Sequence, residues 1–157
     1  MIPTREDLLI STKGTVQPQY LGHGDPALKN YYPAWVNNIA DDATVEGSIL
    51  NGALQGADAV RSVVLTIRSL YEHQEFKFVG PYGSDGVLED YVAKVNGEAI
   101  GCVVLVTRNA AGQTQQVVAC YRPRTSLLLF ARLLGEKFAG TPIAKHFVAD
   151  ESSSGSK

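Results

Sequence analysis

An α+β domain is the fold class this sequence predicts, on three observations. From residue 75 onward, apolar and polar residues alternate with period two through four runs separated by tight-turn residues. Ahead of those runs lies one clean amphipathic helix, with shorter helical stretches before it and another helix after the last run. The 157 residues, 45% hydrophobic and 19% charged, suffice for one core and are too few for two ordinary domains. Such an order of elements packs helices on one face of an antiparallel sheet.

The single domain is expected to span residues 1–148, with the Ser-rich end, 149–157, as a disordered tail. Thr4-Arg5-Glu6-Asp7 opens a first helix as a capping box, interrupted by Gly14 and Pro18. Asp25 as cap and Pro26 at the first helical position start a second segment. Pro33 breaks it after Tyr32, leaving residues 33–40 as another short helical piece with Trp35 and Ile39 one turn apart. Residues 44–49 read as a short strand and residues 51–56 as a glycine-punctuated loop. Asp58 then caps the clean helix, whose stripe is Val60, Val63, Val64, Ile67, Leu70 and Tyr71, with His73 at its end.

The four strands cover residues 75–79, 87–95, 99–108 and 114–122. Asn96-Gly97 between two alternating runs is the strongest short hairpin signal, because both positions of that turn need positive φ. An antiparallel meander follows. Pro123 ends it, and residues 125–138 supply the last helix. The strand at 99–108 is apolar on both faces: Ile100, Cys102, Val104 and Val106 on one, Ala99, Val103 and Leu105 on the other. Helices on one side need only one apolar face, so the outer face is expected to pair with a second copy in a homodimer.

Composition narrows the function. A net charge of −2 argues against nucleic acid as a partner. No apolar run approaches the roughly 18 residues of a membrane span, and the start of the chain lacks the apolar stretch of a secretory signal, so no membrane partner and a cytoplasmic location are expected. Cys102 and Cys120 are too few for a disulfide framework and are expected to be reduced and buried on adjacent strands. Three dispersed histidines, no phosphate-binding loop and no dinucleotide fingerprint predict neither a metal nor an organic cofactor.

Gly24-Asp25, then Ile39-Ala40-Asp41-Asp42-Ala43-Thr44-Val45-Glu46-Gly47, then Asn51-Gly52 through Gly56 into Asp58-Ala59-Val60, resembles the nuclear transport factor 2-like superfamily, whose fold is also called cystatin-like. Tyr121-Arg122-Pro123 before an apolar helix resembles its SnoaL-like polyketide cyclase branch. The resemblance covers roughly residues 20–135. It implies a cone in which a strongly bent sheet wraps helices around a cavity for a small hydrophobic molecule, and homodimers paired through the sheet's outer face. Such short motifs specify a fold better than an activity. Ketosteroid isomerase shares the segment Ala40 to Glu46, but its functional positions do not carry over. Its carboxylate base would fall at Gly47, its protonated acid at Val104, and its tyrosine near Gln17, one turn from Tyr20. Glycine takes no proton and valine donates none, so steroid-type enolisation with that apparatus is not expected. No arrangement matches the Asp, Arg and Asp set of the limonene epoxide hydrolase branch.

With Val104 inward, alternation places Cys102 and Val106 beside it, Val117, Ala119 and Tyr121 on the last strand, and Glu89 and Tyr91 on the preceding one. Glu89 is the one candidate catalytic residue, since a carboxylate on an apolar face acquires a raised pKa and serves as acid or base. In the alternative, the register differs by one, so that Asp90 points inward or Glu89 pairs with an arginine at the sheet's end. Tyr20, Trp35, Gly47, Tyr91, Cys102, Val104, Val117, Ala119 and Tyr121 make up the expected ligand pocket, with Cys102 as packing rather than nucleophile. His23, His73 and His146 are read as non-catalytic, although Ile143 and Phe147 beside the last could fold over a cavity mouth. Arg122 and Arg124 are read as binding an anionic ligand or, the favoured alternative, as anchoring Asp41 and Asp42. The functional expectation is a protein that binds a small hydrophobic molecule and isomerises, cyclises, hydrates or dehydrates it by cofactor-free acid/base chemistry. The competing expectation is a non-catalytic ligand-binding or dimerisation module of the same fold.

Overall fold

The computed structural model describes residue 2 and residues 23–147, so the first helix, Tyr20 and the tail lie outside the described residues. Six strands form one curved sheet: β1 (Ile39–Gly47), β2 (Leu54–Gln55), β3 (His73–Tyr82), β4 (Gly86–Val95), β5 (Glu98–Arg108) and β6 (Thr114–Arg122). Their order across the sheet is β2-β1-β6-β5-β4-β3. Two helices, α1 (Ala57–Leu70) and α2 (Arg124–Lys137), pack against it, giving the α+β architecture.

β3 through β6 form the antiparallel meander that the alternation predicts. Asn96 and Gly97 turn the β4–β5 hairpin with φ of 50° and 81°, the conformation for which that dipeptide is chosen. The sheet as a whole is mixed, because β1 runs parallel to β6. That pairing joins segments separated in sequence by β2, α1 and strands β3 to β5.

β1 is also longer than expected at its start. Only Ala34–Asn37 of the predicted second helical piece is helical, as a short 3-10 turn, and Ile39 and Ala40 already belong to the strand. A register shift between Ile39 and Thr44 sets several β1 residues opposite few on β6. At its other end Gly47 is opposite Ala119, with φ of 154°, and a Cβ there would lie 1.9 Å from the Ala119 carbonyl oxygen. The predicted loop at 51–56 contains the short edge strand β2.

α1 buries Val60, Val63, Val64 and Ile67 of the stripe its spacing predicts, while Leu70 is half-buried and Tyr71 lies just past the helix end. Asp58 does not cap it. Gly56 occupies the cap position, while Asp58 lies in the first turn, 3.3 Å from Arg61. The helix ends at Leu70, so His73 opens β3 instead of closing α1, and its Nε2 lies 3.1 Å from Glu75. The chain after α2 packs back on that helix. Phe147 stacks on Phe138 at 5.6 Å and borders a surface groove with Ile49 and Leu127, away from the cavity beside Glu89. Ile143 and Phe147 therefore do not close that cavity.

Candidate functional site

The site is built from three rungs crossing β4, β5 and β6. Val87, Val106 and Val117 form one rung, Glu89, Val104 and Ala119 the next, and Tyr91, Cys102 and Tyr121 the third. Residues of one rung share a face, and the period of two keeps all nine on the concave side. Within this largely aliphatic wall sits one carboxyl, Glu89, 2% exposed.

Two side chains from the segment before β1 converge on it. The Tyr31 hydroxyl and the Trp35 indole N–H, the latter at 3.0 Å, both donate to Glu89 Oε2. The backbone holds these donors in place. Asp25 N–H donates to the Phe76 carbonyl on β3 at 2.9 Å, Asp25 caps the turn that leads to Tyr31, and Thr114 Oγ1 donates to the Trp35 carbonyl at 2.8 Å. Tyr31 also packs edge-on against Phe76, with ring centroids 4.7 Å apart. Among the described residues no donor reaches Glu89 Oε1. Burial raises the Glu89 pKa, opposed by the bonds from Tyr31 and Trp35 and by the Arg68 charge. The Tyr31 hydroxyl is in turn held above its ordinary range by burial and by its bond to Glu89.

Beside Glu89 lies a cavity of about 40 Å³. Trp35, Tyr91, Val104, Val117, Ala119 and Tyr121 line it together with Glu89. Gly47 and Cys102, also expected there, do not. Gly47 is pressed against the β6 backbone, leaving no room for the side chain a base at that position would need. Cys102 is fully buried, its thiol beside the Tyr91 and Tyr121 hydroxyls, and burial pushes its pKa up to about 12. Tyr20 lies outside the described residues.

Sequence reasoning missed Tyr31 as a partner of Glu89, and also the lining residues Pro33, Val45, Val64, Ile67, Arg68, Gln74 and Phe76. The stripe of α1 and the alternation of β3 could have supplied Val64, Ile67 and Phe76. Arg68, Gln74 and Phe76 also border an outer cleft of about 590 Å³ that contains His23, Lys29, His73 and Glu75.

A second polar group is built around the third rung. The Tyr71, Tyr91 and Tyr121 hydroxyls form a triangle with oxygen separations of 2.6, 3.1 and 3.4 Å, packed against Phe130. Burial drives all three pKa values above the ordinary tyrosine range, so these hydroxyls stay protonated.

Other candidates fall outside the cavity. Cys120 is exposed, because it alternates with Ala119 and Tyr121 and so faces outward; the expectation that both cysteines are buried holds only for Cys102. Arg122 lies 3.3 Å from Asp90 and not against Asp41 or Asp42; Asp42 Oδ1 instead accepts from Gln115 at 3.0 Å. His146 Nδ1 is 3.3 Å from the Asn51 carbonyl. Among the described residues no three His, Cys, Asp or Glu side chains converge as metal ligands, and no helix is long and apolar enough to cross a membrane.

No protein-family model matches the chain, and no curated protein does. Solved structures do match. A Silicibacter pomeroyi protein described as having a cystatin-like fold aligns with a TM-score of 0.63 at 14% identity, over 73% of this chain and 91% of that one. A steroid delta-isomerase from Pseudomonas aeruginosa aligns with the same TM-score at 15% identity, over 68% and 79%. The fold is cystatin-like, a bent sheet with helices packed against it. A de novo designed protein with a curved β-sheet also matches, at a TM-score of 0.51 and 16% identity over 72% of this chain and 86% of that one. Likeness at these identities concerns architecture alone. The curved sheet of this chain carries its buried carboxyl on β4, while Gly47 and Val104, where the resemblance to ketosteroid isomerase would put carboxyl groups, supply none.

Proposed function

We propose that the cavity beside Glu89 takes a small, mostly apolar molecule, or the apolar end of one, and that Glu89 moves a proton on it without a cofactor. The observation that carries this reading is the asymmetry of the carboxyl. Both donors fall on Oε2, so the group is fixed in orientation while Oε1 is left to exchange a proton with a ligand. Desolvation favours the protonated form, and the two hydrogen bonds oppose it by favouring the ionised one, which suits a group that must take and return a proton. Tyr91 and Tyr121 line the same cavity with their rings, while their hydroxyls bond to each other and to Tyr71. Isomerisation, cyclisation, hydration and dehydration all fit one such carboxyl. A second copy of the chain would cover the outer face of the sheet, where Val103, Leu105 and Val118 stay partly exposed.

The cavity's volume, about 40 Å³ against the several hundred of a typical small-molecule site, favours a second reading in which the same cone is a non-catalytic module. Two measurements separate these readings. Native mass spectrometry of freshly purified protein identifies a retained small molecule, and its turnover is then compared with that by Glu89→Gln. Loss of turnover by about 100- to 10,000-fold with binding retained is the expected result for a general acid/base. Full activity in the variant removes Glu89 from the chemistry and leaves the binding module.

A further inference from the structure

The inner cavity and the outer cleft share three bordering residues, Arg68, Gln74 and Phe76, and Arg68 is the charged one. It lies in the last turn of α1, half-buried, with its guanidinium carbon 4.9 Å from the centroid of the Tyr32 ring. A cation at this end of a helix suits the helix dipole wherever it points around the turn. The Tyr32 ring instead fixes this one at the boundary between the two spaces.

Among the described residues Arg68 has no carboxylate within ion-pair distance. The acids of the outer cleft are engaged elsewhere: Asp25 Oδ1 accepts from the Ala27 N–H at 2.9 Å, and Glu75 lies against His73 at 3.1 Å. Lys29, also bordering that cleft, is likewise without an ion-pair partner among the described residues. Inward of Arg68 the walls are apolar, with Val64, Ile67 and Phe76 leading to Glu89. A planar guanidinium with unfilled donor positions at the mouth of an apolar recess matches a carboxylate in shape as well as charge.

The geometry points to a small carboxylic acid with an apolar body as the ligand class, its carboxylate on Arg68 and its apolar part directed toward Glu89. This assignment rests on the proposed ligand-binding role of the cavity and adds to it the charge and orientation of what binds. Placing the acid head at Arg68 keeps it off the Glu89 carboxyl and leaves the apolar end beside the group that moves protons.

Trp35 is the chain's single tryptophan and lines the cavity, so its fluorescence reports occupancy. Phenylacetate and its uncharged near-isostere phenylacetamide are titrated into the full chain, its Arg68→Gln variant and its Arg68→Lys variant, with calorimetry as a second readout. The expected result is an affinity at least about tenfold higher for the acid than for the amide, a gap of 1.4 kcal/mol. Arg68→Gln removes the gap, and Arg68→Lys restores part of it. Equal affinity for acid and amide in the unmodified chain overturns the inference while leaving the cavity reading standing, as does an acid preference that survives in Arg68→Gln. Binding of neither probe at millimolar concentration overturns both. If Arg68→Gln fails to fold by circular dichroism, the unmodified chain and Arg68→Lys still decide.

Discussion

Glu89 and Asp90 are neighbours on β4 with the same functional group and opposite surroundings. Glu89 points to the concave face, is 2% exposed and is held by two neutral donors, a phenol and an indole. Asp90 points to the convex face and lies 3.3 Å from Arg122, with both side chains partly exposed. One residue of strand therefore separates a carboxyl whose proton affinity is raised by desolvation from one that forms an ordinary surface ion pair. The cysteines repeat the contrast on the next two strands. Cys102 is buried in the tyrosine cluster, and Cys120, on β6, is exposed. In this sheet the face a side chain occupies, more than its chemical type, decides what it can do.

Thiol labelling tests that division with the largest effect. A Cys102 thiolate is disfavoured by burial, and reagent reaches it only when the sheet opens. For a domain of ordinary stability such opening slows reaction on the order of a thousandfold or more. Dilute protein is expected to show one fast thiol per chain, Cys120, and a second that reacts at the unfolding rate. Two fast thiols would break the inner/outer assignment. A Cys120 rate that falls as protein concentration rises would sharpen it, since a second copy on the convex face would cover this thiol.

The pH dependence of stability is the next contrast. Because burial raises the Glu89 pKa above its ordinary value of 4.5, the folded chain keeps this proton at pH values where the unfolded chain has lost it. Its contribution to stability is fully present below that ordinary value. It declines as pH rises toward the raised one, by at most about 1.4 kcal/mol per pH unit for one proton. Glu89→Gln keeps an oxygen for Tyr31 and Trp35 and removes the titration. Denaturant midpoints measured across pH are expected to differ little between the two proteins in acid, and the variant is expected to gain relative stability above it. Parallel pH profiles would show that Glu89 ionises in the fold as easily as in the unfolded chain.

Much of this site was legible in local pattern. Asn96-Gly97 fixes the turn between β4 and β5, the turn fixes the register, and the register places Glu89 opposite Val104 and Tyr91 opposite Cys102. The inward rungs follow from the period of two. Contacts without a local signature stayed hidden. Tyr31 and Trp35 reach Glu89 from 58 and 54 residues away, and nothing in their own segment marks them as its partners. The parallel pairing of β1 with β6 is equally long-range, which is why Ile39 and Ala40 read as the end of a helix. Arg68 sits off the apolar stripe of α1 by its spacing, and only the approach of β3 and the segment before β1 turns that position into the edge of a cavity.

The smallest expected effect belongs to Asp90, and it is the control for Glu89. Its partner Arg122 is as accessible to water as it is, so the pair gains little beyond what solvent already supplies. Asp90→Asn preserves the shape of the side chain and removes its charge on the convex face. It is expected to lower stability by about 1 kcal/mol or less, and by less still at high salt, where a surface pair is screened. The variant should leave the pH profile contributed by Glu89 in place, because the charge it removes lies on the other side of the sheet. Chemical denaturation of Asp90→Asn in low and high salt, across the pH range used for Glu89→Gln, measures both points. A salt-independent loss of several kcal/mol would mean that the convex-face pair is desolvated in solution, as it would be beneath a second copy of the chain. The difference between two adjacent carboxyls would then reflect how each face is covered.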